Sequence, residues 1–190
     1  MSAPADVRAF VALELDARLR QAIGELQRRL RPRLGGIRLV RPEGIHLTLR
    51  FLGPTSPAQI ETLRPLLAAA AAACPPAEVR VAGIGTFPER GSPRVLWLGL
   101  DVPPTILELQ RACERAARAA GFEREVRPFR AHLTLGRWRD RAPRPDLPAA
   151  DLGTTRLDAL VLFQSDLKPD GAVYTPLVGL PLEGLGDPSS

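Results

Sequence analysis

Apolar and polar residues follow two different rhythms along this chain, and the switches between them outline its elements. Val7 to Leu15 (VRAFVALEL) is a short run of β-branched and aromatic residues and predicts a buried strand. The period then lengthens. Leu19, Ile23, Leu26 and Leu30 share one face of a helix that Asp16 can cap and that runs to about Arg31. Pro32 cannot donate to that helix and stops it, and Gly35-Gly36 mark a turn. Ile45 to Leu52 (IHLTLRFL) alternates as a strand does, and Gly53-Pro54 should end it. Ser56, Pro57 and Gln59 carry the capping-box pattern of a second helix. Pro65 inside it should kink it or shift its start, and Pro75-Pro76 closes it. Glu78 to Phe87 and Arg94 to Leu100 predict two strands around a Pro/Gly-rich loop. Pro103 to Ala120 predicts a third helix, with Ile106, Leu109 and Cys113 on one face and Gly121 as its stop. Ala131 to Trp138 reads as a strand and Arg139 to Pro148 as a polar, proline-rich loop. Leu157 to Ser165 and Ala172 to Leu180 complete the chain around a turn at Pro169-Asp170-Gly171.

Strands and helices mix without strict alternation, which predicts α+β layers and not a doubly wound parallel sheet. There is also an internal echo. Strand, helix and a His-Leu-Thr-Leu strand occur once up to His46 (HLTLRFLG) and again up to His132 (HLTLGRW). The natural reading is one domain over residues 1–183, built of two intertwined lobes with pseudo-twofold symmetry. They carry motifs 46–49 and 132–135, and each supplies one histidine to a shared cleft. Residues 184–190 are expected to be a disordered tail.

The two motifs carry the chemistry. Residues i and i+2 of a strand point to the same face, so His46 projects with Thr48 and His132 with Thr134, while Leu47, Leu49, Leu133 and Leu135 point into the core. These are the only two histidines in the chain. A given histidine is followed by Leu-Thr-Leu on the order of one time in a thousand, so coincidence explains the pair poorly. Hydrolysis of a phosphodiester needs a base for water and an acid for the leaving oxygen, and imidazole can do either near neutral pH. The threonines can donate to the non-bridging phosphate oxygens. No metal or other cofactor is required by this scheme.

Composition adjusts this picture modestly. The 190 residues are 45% hydrophobic, enough for a packed core. No apolar run approaches the roughly 20 residues of a membrane helix, and Met1 to Asp6 lacks a basic-then-apolar leader. A cytoplasmic protein without a membrane partner is expected. Cys74 and Cys113 stand apart in alanine-rich stretches and read as small buried thiols. The net charge of +5 fits an anionic partner such as RNA. However, Lys168 is the only lysine, and an Arg-, Ala- and Pro-rich chain also reflects GC-rich coding.

With these residues in view, the chain resembles the 2H phosphoesterase superfamily, named for paired His-x-Thr/Ser-x motifs. Within it, the chain is similar to the RNA 2′,3′-cyclic phosphodiesterases, formerly called 2′-5′ RNA ligases. The likeness rests on Arg8–Leu15, Arg41–Gly53, Pro93–Leu100, Pro128–Arg137 and Leu160–Leu177. Ala131 stands where the family usually has proline, and Leu39 where tryptophan is common. The resemblance implies a bilobal fold, with two antiparallel sheets facing each other across a central cleft and helices outside. It implies hydrolysis of a terminal 2′,3′-cyclic phosphate on RNA, tRNA fragments included, to a 2′-phosphate. His46 would donate the proton and His132 accept it, with Thr48 and Thr134 holding the phosphate. The resemblance also implies ATP-independent, reversible 2′-5′ RNA ligation by the same acid–base pair. The alternatives are a phosphodiesterase for a small cyclic nucleotide and a non-catalytic RNA-binding module.

Further residues are candidates for substrate contact. Arg130 shares strand parity with His132. Arg137 matches a basic position that the family places after the second motif, although its parity is wrong unless Gly136 bends the strand. Phe51 and Tyr174 could stack on a base, as could Phe129 and Trp138. Arg50 shares parity with His46. Because both lobes lie in one chain, a monomer is expected.

Overall fold

The computed structural model describes residues 5–168 and 171–184. Strand β1 (Val7–Leu13) opens the chain, and helix α1 (Ala17–Leu30) follows. Asp16 caps α1 through the amide of Leu19 at 2.6 Å, and its other carboxylate oxygen accepts from Thr155 at 2.8 Å. Leu19, Ile23, Leu26 and Leu30 are buried, as their spacing predicts. Pro32 lies within one 3-10 turn (Arg31–Arg33), and a three-residue strand β2 (Ile37–Leu39) follows. Strand β3 (Leu47–Thr55) leads into α2 (Pro57–Ala72), where Ser56 and Gln59 form the reciprocal capping box. Pro65 lies within α2 without ending it. Strands β4 (Ala77–Phe87) and β5 (Val95–Asp101), helix α3 (Pro104–Ala119) and strands β6 (His132–Trp138), β7 (Asp151–Leu157), β8 (Ala159–Lys168) and β9 (Gly171–Pro181) complete the order.

All nine strands join one antiparallel sheet in the order β7-β4-β5-β6-β3-β1-β8-β9, with β2 added to β6. The path falls into two four-strand runs, β7-β4-β5-β6 and β3-β1-β8-β9. They meet at its centre in a single rung, Leu47 opposite Leu133. The strands carrying the two motifs are therefore neighbours, each flanked on its outer side by its own half. One large core packs the helices against the sheet through Leu13, Leu47, Leu63, Leu67, Leu98, Ile106, Leu133 and Leu135. A second, smaller cluster of Phe10, Ala12, Val161 and Phe163 forms with Tyr174 packed against it. Among the described residues, no helix is long and apolar enough to cross a membrane.

Three expectations need correction. Gly53-Pro54 does not end β3. An extra residue at Leu52 makes a bulge, and pairing with β1 resumes from Gly53, whose φ is +77°, through Thr55. Strand β7 begins at Asp151, in a stretch where the sequence predicts no strand before Leu157. Gly35-Gly36 make the expected turn, and strand β2 follows it in a stretch to which the sequence assigns no element. Of the expected turn, Pro169 and Asp170 lie outside the described residues, as do 185–190 of the expected tail. Gly184, the tail's first residue, donates its N–H to the Cys74 carbonyl.

Candidate active site

The rung Leu47–Leu133 organises the site. In an antiparallel ladder, residues one step either side of a pair point to the opposite face. Both leucines are wholly buried. His46 and Thr48, and His132 and Thr134, therefore project together on the other face, half-buried. His46 stands just before β3 and His132 is the first residue of β6.

Each motif strand then carries a bulge at the same place. Ala12 pairs with Thr48 but Val11 with Arg50, so Leu49 is an extra residue. Trp97 pairs with Thr134 but Leu96 with Gly136, so Leu135 is extra. A glutamine from a helix holds each bulge. Gln27 of α1 donates to the Leu135 carbonyl at 3.0 Å and to that of Val40 at 2.8 Å. Gln110 of α3 donates to the Leu49 carbonyl at 3.4 Å.

One extra residue inverts the parity of all that follows. Arg50, expected beside His46, instead turns inward and is 7% exposed. Its Nε meets Glu114 at 2.6 Å, and its other nitrogens donate to the carbonyls of Phe51 and Glu123. The next residue returns to the histidine face. Phe51 is 57% exposed, and Arg137 is likewise exposed. The positive charge of Arg137 bears on both His132 and Tyr174. The parity objection to Arg137 is thus removed by the bulge at Leu135.

Each imidazole is anchored to the backbone two residues before it. His132 Nδ1 lies 2.7 Å from the Arg130 oxygen, and His46 hydrogen-bonds the Gly44 backbone. For His132 this fixes Nδ1 as the protonated nitrogen and leaves the Nε2 lone pair free. Burial pushes His46 down from 6.5 to about 4, against the opposing effect of the Gly44 bond. Burial, with the charge of Arg137, also holds His132 below its ordinary value, and the Arg130 carbonyl opposes this. Both rings are therefore neutral at pH 7 when nothing is bound.

The surroundings differ between the halves. Phe10 stacks on His46 at 4.5 Å and 25°, and Tyr174 meets it edge-on at 5.1 Å. Phe87 meets His132 edge-on at 5.3 Å. Arg130 is not in the strand. It pairs with Glu89 at 2.5 Å and lies over the Phe87 ring. Trp138 is core, its indole N–H donating to Gly35, and Phe129 packs against the same core. Neither reaches the histidines. Phe10, Phe163 and Phe87 are the neighbours that strand periodicity does not reveal, because an aromatic strand residue reads as core on either face. Cys74 and Cys113 are buried and free. Among the described residues, no three of His, Cys, Asp and Glu gather as a metal-binding group.

Comparison with known proteins finds likeness in both sequence and fold. The family described as LigT like Phosphoesterase matches residues 13–97 and 99–174. An RNA 2′,3′-cyclic phosphodiesterase of Methanothermobacter thermautotrophicus is 31% identical over 178 residues, covering 90% of this chain and 96% of that protein. The crystal structure of TT0787 of Thermus thermophilus superposes with a TM-score of 0.83 at 32% identity, covering 93% of this chain and 98% of that one. Escherichia coli LigT complexed with 3′-AMP gives a TM-score of 0.81 at 25% identity, covering 93% and 98%.

Proposed function

The chain belongs to the LigT-like phosphoesterase family, and from that premise we propose that it hydrolyses the 2′,3′-cyclic phosphate at an RNA end to a 2′-phosphate, with His46 and His132 as the acid–base pair. The observation that carries this reading is the rung Leu47–Leu133, which sets two backbone-anchored imidazoles and two threonines on one face. The names of similar proteins supply the substrate class.

In this reading His132, with Nε2 unprotonated, takes a proton from water as the water oxygen attacks phosphorus. The bond from phosphorus to the 3′ oxygen breaks, and His46 gives that oxygen its proton. The phosphate stays on the 2′ oxygen. His46 is neutral in the free protein, so its proton is taken up with the substrate, whose negative charge favours the imidazolium. Thr48 and Thr134 donate to the non-bridging oxygens, and Arg137 offsets their charge. Phe51 and Tyr174 contact the terminal nucleoside. Arg130 sits at the rim, already paired with Glu89, and would meet the RNA only by leaving that partner. Attack on the same phosphorus by a 5′-hydroxyl in place of water gives 2′-5′ ligation. No residue beyond the two histidines is asked to move a proton, so the scheme needs no metal. Both halves of the site lie in one chain, and residues 1–183 as a monomeric, cytoplasmic domain suffice for it.

Replacing His46 or His132 singly by Ala tests the pair. Each change is expected to cost on the order of a hundredfold or more in kcat while the protein stays folded and still binds RNA. Full activity in both variants would overturn the pair, and a native protein that binds the RNA while leaving its cyclic phosphate intact would leave an RNA-binding module.

A further inference from the structure

The two histidines share an anchor but not a wall. A hydrogen bond to the residue two before fixes one axis of each ring and leaves rotation about that axis free. His132 meets one ring, Phe87, edge-on at 89°. His46 is enclosed. Phe10 lies 4.5 Å from it at 25°, and Phe163 5.9 Å from it at 29°. Phe10 and Phe163 stack on each other at 5.3 Å. Tyr174 closes the group, edge-on to both His46 and Phe10 at 5.1 Å. Three near-parallel rings and one perpendicular ring leave the imidazole one plane.

Strand register brings this enclosure to His46. Phe10 pairs with Phe51 beyond the β3 bulge, and Ala12 pairs with Thr48. Ala12, two residues along β1 from Phe10, contributes only a methyl group. Phe10 is 3% exposed and Phe163 8%, so both are held by the sheet and not by ligand.

We propose that Phe10 is a positioning residue for His46: by stacking on the imidazole it fixes the ring plane in which His46 meets the leaving oxygen. The inference rests on the phosphodiesterase reading for that oxygen, but the stack itself does not. Phe10 is too buried to touch substrate and acts only through His46. The same wall keeps water from the ring. Among the described residues, the titratable ring against His46 is Tyr174, whose hydroxyl burial pushes up and keeps protonated, and the Gly44 backbone supplies a hydrogen bond. Arg137 bears on Tyr174 and on His132. His46 protonation therefore answers to the wall and to the anion that binds, not to a resident counter-charge.

Two histidines make the test direct, since His46→Asn leaves one imidazole and assigns the other. Imidazole NMR titration of the native protein and of Phe10→Leu is the experiment, with kcat and KM on an RNA 2′,3′-cyclic phosphate beside it. In the native protein the His46 carbon-bound ring protons should lie upfield of their unfolded-chain positions, shielded by the face of Phe10. In Phe10→Leu they should move downfield, and the His46 midpoint should rise by roughly one pH unit. Misplacing the ring should lower kcat on the order of tenfold or more with KM little changed, and Phe10→Tyr should restore the native values. Unchanged His46 shifts and midpoint in folded Phe10→Leu overturn the inference. So do native His46 ring protons at their unfolded-chain positions, a result that requires no variant to fold. If the stack behaves as expected while native protein leaves the cyclic phosphate intact, the functional reading fails and the positioning of His46 stands.

Discussion

Acidifying the free protein should destabilise it through His46. In the unfolded chain that imidazole titrates at its ordinary 6.5, whereas burial in the folded protein holds it at about 4. Between these values the unfolded state binds the extra proton, so stability rises with pH across the window and is lost as pH falls through it. The full effect is the difference of about 2.5 pH units, at about 1.4 kcal/mol each, or on the order of 3 kcal/mol below pH 4. At pH 5 the unfolded imidazole is almost wholly charged and the folded one mostly neutral, which leaves about 2 kcal/mol relative to pH 7.5. Urea melts at the two pH values, on native protein and on His46→Gln, isolate this share. Carboxylates and His132 titrate in both proteins and cancel in the difference. The native protein should lose about 2 kcal/mol more than the variant. Equal losses would refute the reasoning, because they would mean that the folded protein lets His46 charge at its ordinary pKa.

Other parts of the site make separate predictions. Arg50→Met strands the Glu114 carboxylate and the carbonyls of Phe51 and Glu123; it should cost about 3 kcal/mol in a denaturant melt, and Arg50→Met with Glu114→Leu should recover most of that loss. Gly136→Ala places a Cβ 2.8 Å from Ile37 and 2.9 Å from the Arg38 carbonyl. It should cost about 1–3 kcal/mol by melt and raise KM by displacing Arg137. Arg137→Gln removes a charge that holds His132 down, so the His132 midpoint should rise by NMR while kcat/KM falls on the order of a hundredfold.

Much of this is legible in the chain alone, and the misses share a cause. The caps at Asp16 and Ser56 are legible because a side chain of one type must meet an amide a fixed number of residues later. The pairing of His46 with Thr48 and of His132 with Thr134 is legible because strand parity is a fixed period of two. Parity fails at Leu49 and Leu135, where a bulge adds one residue, and it misplaces Arg50 and Arg137 accordingly. Leucine gives no warning of a bulge; only Gly136 hints at one. Strand β7 (DLGTTRL) escapes notice because it is an edge strand paired only with β4, and just Thr155 and Leu157 are buried. The aromatic wall of His46 is assembled from β1, β8 and β9, a long-range convergence that no local period encodes.

The most direct test of the account is the identity of the RNA end it leaves. An oligoribonucleotide bearing a 2′,3′-cyclic phosphate, incubated with the protein in EDTA, should be converted to the 2′-phosphate, with the rate unaffected by the chelator. A 3′-phosphate product would contradict the choice of leaving oxygen, and an intact cyclic phosphate would contradict the two-histidine, metal-free reaction itself.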